Sequence, residues 1–414
     1  MRRSVTGLAL VVAGVLVVSA CSGGGAGGAG GGGAGAAAGR AGTVVIGATL
    51  SLTGSAGVLG GPVRAGYEQE VADVNAAGGV AVGGRKDRLK LVVLDNASNP
   101  ATASDQAREL VRHDHAVALL GSTTSLIITP TALTAEQLRV PFVTSLAPVE
   151  AFASGDKQGW TYSWDFFFDE KQQAATAAKA LAAAKSNKKV VLFTDSEPDS
   201  IVERPLYEAA FAAAGLDVVG DYTFPAGTAS YSSFIADAKA KGAQLVAGQL
   251  TTADGVALWK QLKSSGLRPR AAFVADAAGT GSWWQQLGAT AQDTLSGSFW
   301  SPGQATAAQL AKITPTLGKE YAGSPGYAAA AVAYAAAEIV TGAISRAGST
   351  SPARLNTAIG QSRVQTTAGL ITFSPATHTA ATPYYVTQWQ NDRLVQVQPP
   401  VSGSTYQQPA TGLG

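Results

Sequence analysis

Cysteine, histidine and charge are scarce in this chain. It has one cysteine, one methionine and three histidines in 414 residues. A single cysteine excludes an intramolecular disulfide framework. His113 and His115 form an H-x-H pair at the end of a predicted helix, where they point to different faces, and with His378 far away they do not make a zinc site. Charged residues are only 14% of the chain, the formal net charge is +2, and no lysine or arginine run stands out. Nucleic-acid binding needs clustered cations to neutralise phosphates, so that class is excluded. There is no G-x-S-x-G elbow. The glycines from Gly57 to Gly61 lack dinucleotide or Walker spacing. No catalytic constellation is present, so an enzyme is not expected, and neither is a metal or cofactor.

What is present begins with an export signal over residues 1–21. Arg2 and Arg3 form a positive start, and Leu8 to Val18 is an apolar run too short to span a membrane. Val18-Ser19-Ala20-Cys21 resembles a bacterial lipobox, which makes Cys21 the predicted lipidation site and leaves no cysteine for nucleophilic chemistry. The twin arginines raise Tat export, but the residues after them fit Sec better. Residues 22–42 are almost entirely glycine and alanine, which cannot bury enough surface to order, and read as a flexible tether. The expected arrangement is a body held at the outer face of a membrane by one lipid anchor.

From Thr43 the chain alternates strands and helices. Thr43–Leu50 is rich in β-branched residues, a helix follows from Pro62 to Asn75, and Leu89–Asp95 is the next strand. The stretch from Ala118 to Val149 organises the rest. An apolar strand ends at Gly121, the hydroxyl turn Ser122 to Ser125 follows, a helix is predicted from near Thr129 with Pro130 in its first turn, and Pro141–Thr144 is a second strand. Such a βαβ unit makes parallel strands whose carboxyl-edge loops are where open α/β sheets bind ligands. Thr124 and Ser125 there can grip a carboxylate or simply cap the helix. The second half repeats the pattern, with strands predicted at Lys189–Thr194, Leu216–Tyr222, Gln244–Ala247 and Ala271–Ala275.

Several segments together resemble the leucine/isoleucine/valine-binding branch of the type I periplasmic solute-binding proteins. They are Ile46 to Gly54, Gly60 to Tyr67, Val74 to Val80, Asp95 with Pro100, Gly121 to Ser125, Val140-Pro141, Ala347 to Thr350 and Gly369 to Ser374. The resemblance implies an α/β fold of two doubly wound Rossmann-like lobes joined by a three-strand hinge. It places crossings near Trp160, Asp276 and Thr367. Lobe 1 would be 43–161 plus 277–366, lobe 2 would be 162–276 plus 367–400, and 401–414 would be a disordered tail. The implied function is capture of a small polar solute (an amino acid, amide or aromatic acid) in the interlobe cleft. Delivery would be to an ABC permease and its ATPase, by a monomer.

The resemblance also carries site residues. Ser125 would hold an α-carboxylate, with the loop Thr144, Ser145, Leu146 and Ala147 beside it. Leu146 and Pro148 depart from the family, in which that loop is small and ends in a threonine. Asp276, after a crossing strand, would meet an ammonium group or serve as a cap or hinge contact. Thr251, Thr252 and Asp199 would come from the second lobe, Asp199 from a loop. Trp164, Phe166, Phe167 and Phe168 follow the first crossing, and Trp283, Trp284 and Trp300 follow the second. They could form a stacking wall for a flat ligand or be core or interlobe packing, with Trp164 and Phe166 the ligand-binding candidates. Two rival readings are a sensor of the same fold signalling to a membrane partner and a structural envelope protein.

Overall fold

The computed structural model describes residues 42–321, 324–400, 404–409 and 412–413. The predicted signal, Cys21 and all but the last residue of the tether lie outside them, as does part of the predicted tail. The chain first forms β1 (Thr43–Leu50), β2 (Val80–Val82), β3 (Arg85–Asp95), β4 (Ala118–Leu120), β5 (Phe142–Thr144) and β6 (Ser163–Phe168). Next come β7 (Lys189–Asp195), β8 (Asp217–Phe224), β9 (Leu245–Leu250), β10 (Ala271–Asp276) and β11 (Leu295–Ser298). The C-terminal strands are β12 (Arg363–Thr366), β13 (Gly369–Thr372), β14 (Thr379–Thr382), β15 (Tyr385–Gln390) and β16 (Arg393–Gln398).

These strands make two seven-stranded sheets, ordered β14-β6-β5-β4-β1-β3-β2 and β16-β15-β11-β10-β9-β7-β8, with β12 and β13 as a separate pair. The first sheet is parallel apart from the β2–β3 edge. The second is parallel from β8 to β11 and antiparallel through β15 and β16. Helices cover both, as the α/β class requires for strands buried on both faces.

Local signals explain many boundaries. Asn99 accepts hydrogen bonds from the N–H groups of Ala101 and Thr102, and Pro100 occupies a position where no N–H is needed. The largest helix, Pro325–Ala347, went unread in the sequence. Its alanine-rich surface lies against helix Gly60–Ala76, where the Tyr334 hydroxyl donates to Asp73 Oδ2 at 2.8 Å and Thr341 Oγ1 to Glu70 Oε1 at 2.8 Å. It is long and apolar enough to cross a membrane, but 83% of its most apolar window is buried in the lobe, as expected of a core helix.

The predicted crossings are displaced. β6 pairs with β5, so residues 163–168 belong to the first sheet and the chain crosses at Asp169. β11 pairs with β10 and β15, which moves the second crossing from Asp276 to the segment between Ser298 and Ser301. β14 pairs with β6, so the third crossing lies between Thr382 and Tyr385, beyond Thr367. A strand's sheet is set by distant pairing partners, which its own composition does not encode.

Each crossing contributes an aromatic ring. Phe299 packs on Phe167 at 4.8 Å, Phe167 on Phe168 at 4.5 Å, and Phe168 edge-on to Tyr384 at 4.9 Å. Gly297 permits this, because a Cβ there would stand 1.8 Å from the Tyr384 hydroxyl. At the first crossing the two lobes are also tied by carboxylates. Glu170 accepts from the N–H groups of Glu150 and Ala151, both at 3.0 Å, and its own N–H donates to Glu150 at 3.1 Å.

Candidate functional site

The cleft between the lobes has a volume of about 600 Å3 and is lined from both sides. Its floor is the aromatic row at the hinge. One wall comes from the carboxyl edge of the first sheet, the other from the carboxyl edge of the second, where parallel sheets place their ligands.

The first-lobe wall carries no ionised side chain. Helix Ser125–Leu138 starts four residues earlier than the sequence suggested, with Pro130 inside it. Ser125 is therefore in the first turn, and Thr124 occupies the cap position without a capping side chain. The N–H groups of Ile127 and Ile128 close on Thr124 O, leaving those of Ser125 and Leu126 for a ligand or water. The Ser125 hydroxyl has no protein partner. Thr123, Thr124 and Ser125 line the cleft together, so this wall offers an anion-accepting helix end.

Of the next loop, Leu146 and Pro148 face the cleft, whereas Thr144, Ser145 and Ala147 do not line it. Thr144 is fully buried against Gly121, where a Cβ would come within 2.2 Å of Thr144 Oγ1. Behind the loop lies Asp165, beside Thr144 in the β5–β6 register and fully buried, with neither carboxyl oxygen hydrogen-bonded. Burial pushes its pKa well up, and the nearby Ala147 N–H lowers it only in part. Asp165 is thus a carboxyl group inside the sheet whose ionisation is disfavoured by burial. Nothing in the sequence marked it.

Position along β6 decides its aromatics, because only the carboxyl end of the strand reaches the cleft. Trp164 points away from the cleft, stacks on His378 with centroids 3.6 Å apart and donates to Asn356 Oδ1 at 2.8 Å. Phe166 is fully buried. Of the expected stacking wall, Trp164 and Phe166 are corrected to core, while Phe167 and Phe168 of the same cluster line the cleft.

The second-lobe wall is acidic. Asp199 sits in the first turn of helix Pro198–Ala213 and not in a loop, and one turn later Glu203 joins it on the same face. Glu203 is 4% exposed, accepts from Gln173 Nε2 at 3.1 Å through Oε2, and has no protein partner on Oε1. Asp276 ends β10 with φ +55° and ψ −65°, a rarely populated conformation that a non-glycine residue adopts under strain, of a kind that clusters at functional sites. Gln249 Nε2 donates to it at 3.2 Å. Its surface is open to cleft water while protein encloses it more broadly, and that enclosure, with Asp199 and Asp195 nearby, raises its pKa to about 6. Desolvation raises Asp199, and desolvation with the Asp276 and Asp199 charges raises Glu203 well above the usual range. Glu203 escaped the sequence reading because its spacing from Asp199 mattered only once both lay on a helix.

Thr252 lines the cleft, its hydroxyl 3.4 Å from that of Thr280. Thr251 does not. Its N–H donates to Asp195 at 2.6 Å, and its hydroxyl caps helix Thr252–Ser265 through Asp254. No lysine, arginine or histidine among the described residues lines the cleft. Among the described residues, no three histidine, cysteine or acidic groups converge as a metal site would require.

Comparison with known proteins agrees with this architecture. A family model described as periplasmic binding protein matches residues 43–393. A Leu/Ile/Val-binding protein homologue of Brucella melitensis is 25% identical over 361 residues, 86% of this chain and 94% of that protein. Among solved structures, a leucine-binding protein from Thermotoga maritima aligns with TM-score 0.72 and 21% identity over 85% of this chain and 97% of its own. The substrate-binding protein of a branched-chain amino acid transporter from Streptococcus pneumoniae, in complex with isoleucine, aligns with TM-score 0.72 and 21% identity over 89% and 100%.

Proposed function

The chain belongs to the periplasmic binding protein family, and from that premise we propose that it captures an amino-acid-type solute in its interlobe cleft and delivers it to an ABC permease. The family is one of solute-binding proteins, not enzymes, and works outside the cytoplasm. The observation that carries the reading is the two-sided cleft of about 600 Å3 whose floor is made by the three crossings. A ligand there touches both lobes and the hinge at once. It can therefore favour a closed state, since only differential contact between open and closed forms shifts their populations. Ser125 and the open helix end hold a carboxylate, and Asp276, with Asp199 and Thr252 across the cleft, holds the amine. Relatives named for leucine, isoleucine and valine support an amino-acid class. Thr144, Ser145 and Ala147 act from behind the wall by fixing Leu146 and Pro148, and Thr251 acts by capping.

The test is a thermal-shift and titration screen against amino acids, amides, aromatic acids and sugars. A true ligand at about a hundredfold its Kd adds roughly 2.7 kcal/mol of stability, and the same compound must lose affinity in Ser125→Ala. A sugar as the sole ligand would overturn the reading.

The chain's location follows from its first residues. We infer that Cys21 is lipidated and tethers the body to the outer membrane face through residues 22–42. Labelled palmitate incorporation that vanishes in Cys21→Ser checks this, and unchanged labelling would refute it.

A further inference from the structure

The second-lobe wall sets three carboxylates against no cationic side chain, an excess that a single ammonium does not match. We propose that the solute is an organic amine with net positive charge, such as a basic amino acid or a diamine, held between Asp199, Glu203 and Asp276 over the aromatic floor. This rests on the capture reading above and narrows its ligand.

Four observations converge. Asp199, Glu203 and Asp276 all line the same cleft, and no lysine, arginine or histidine among the described residues does. Glu203 is more than nine-tenths buried, is tied by Gln173 through Oε2, and lines the cleft, where its Oε1 is left as an acceptor for a ligand. Phe167, Phe168, Phe299 and Tyr384 form the floor, and aromatic faces attract organic cations. The acids do not converge as metal ligands among the described residues, so one compact divalent ion does not fit where an extended amine does. An aromatic acid is disfavoured on the same grounds, because its carboxylate would face like charges.

Burial acts on all three acids of this wall, and repulsion between them adds to it. Asp276, Asp199 and Glu203 all have raised pKa values, and the groups around them are Asp195, Glu150, Tyr207 and Tyr384, none of which supplies positive charge. An amine pairs with the ionised form of Asp276, so binding should strengthen as pH rises through about 6, with proton release where binding draws that acid into its ionised form.

Isothermal titration of the mature protein with lysine, ornithine, putrescine and leucine tests this, with runs at pH 5 and 7.5 in two buffers of different ionisation enthalpy. The expected result is that at least one cationic compound binds tenfold or more tighter than leucine. Its affinity should fall at pH 5, and buffer-dependent heats should report proton release. Glu203→Gln should weaken that compound roughly ten- to hundredfold, the loss expected for a charged hydrogen bond, while leucine changes less than threefold. Asp276→Asn, which removes the acid that meets an α-ammonium, should weaken both. Lysine without putrescine would support the amino-acid form, and both together the amine class. Leucine binding as tightly as every cation would overturn the inference and leave the capture reading standing. Silence towards all four compounds, with binding to a sugar, would overturn both. Retained melting temperatures in the two variants distinguish lost contact from lost fold.

Discussion

The two walls of the cleft are built on different physics. The first-lobe wall is neutral, made of hydroxyls, Leu146, Pro148 and an open helix end, and it is backed by densely packed core that includes Trp164 and Phe166. The second-lobe wall is acidic, and Asp276 holds a strained backbone on it. Packing fixes the position of one wall. Charge held in poor solvation makes the other receptive. A ligand bridging them satisfies directional donors on one side and relieves repulsion on the other, which is a sound basis for closure.

The largest expected effect separates backing from contact. Trp164→Ala removes a ring that is 5% exposed and stacked on His378, and it should cost about 3–5 kcal/mol of stability, read as a lower denaturation midpoint. Ligand affinity of the protein that remains folded should be unchanged, because Trp164 faces away from the cleft. Phe168→Ala should behave in the opposite way, costing affinity through the floor it lines. Similar losses of affinity in both variants would break the distinction between backing and contact.

Next in size is Ser125→Ala. Its hydroxyl has no protein partner, so the unliganded fold should not suffer, while a carboxylate ligand loses a charge-assisted hydrogen bond worth about 1.5–3 kcal/mol, at least tenfold in Kd. A diamine without a carboxylate should be indifferent to the change. Titration of both ligand types measures which wall reads which end of the solute.

Much of this organisation was legible in the sequence. The strand–helix alternation, the hydroxyl turn and the acid closing the β10 segment all follow from local rules, and Ser125, Leu146 and Asp276 do reach the cleft. The crossings did not follow, because β14 joins the first sheet by pairing with β6 across more than 200 residues, and β6 itself stays with β5 and does not start the second lobe. The aromatics were read by composition, when their position along β6 decided that Phe167 and Phe168 at its carboxyl end, and not Trp164 and Phe166, reach the cleft. Glu203 and Asp165 are buried carboxyl groups whose meaning comes only from neighbours brought together by folding. Local signals located the loops. Long-range pairing decided what faces them.

The smallest expected effect concerns the charge of the second wall in the unliganded protein. Asp276 has a folded pKa of about 6 against a usual value near 3.8. An acid with a raised folded pKa contributes no penalty below its unfolded pKa, a growing penalty between the two values, and its full penalty above the folded one. The unliganded protein should therefore gain melting temperature on acidification from pH 7.5 to 5, the window in which the well-paired Asp87, Asp95 and Asp237, whose pKa values are lowered, stay ionised. Asp276→Asn should raise the melting temperature at pH 7.5 and flatten this dependence, whereas Ser125→Ala should leave it intact. Because Asp276 is open to cleft water, solvent screens part of the effect, and a shift of a few degrees is expected. A bound amine should abolish the difference between the two pH values by pairing with the ionised form. If the wild-type protein instead loses stability steadily on acidification to pH 5, the second wall is not electrostatically strained, and the contrast between the two walls reduces to shape.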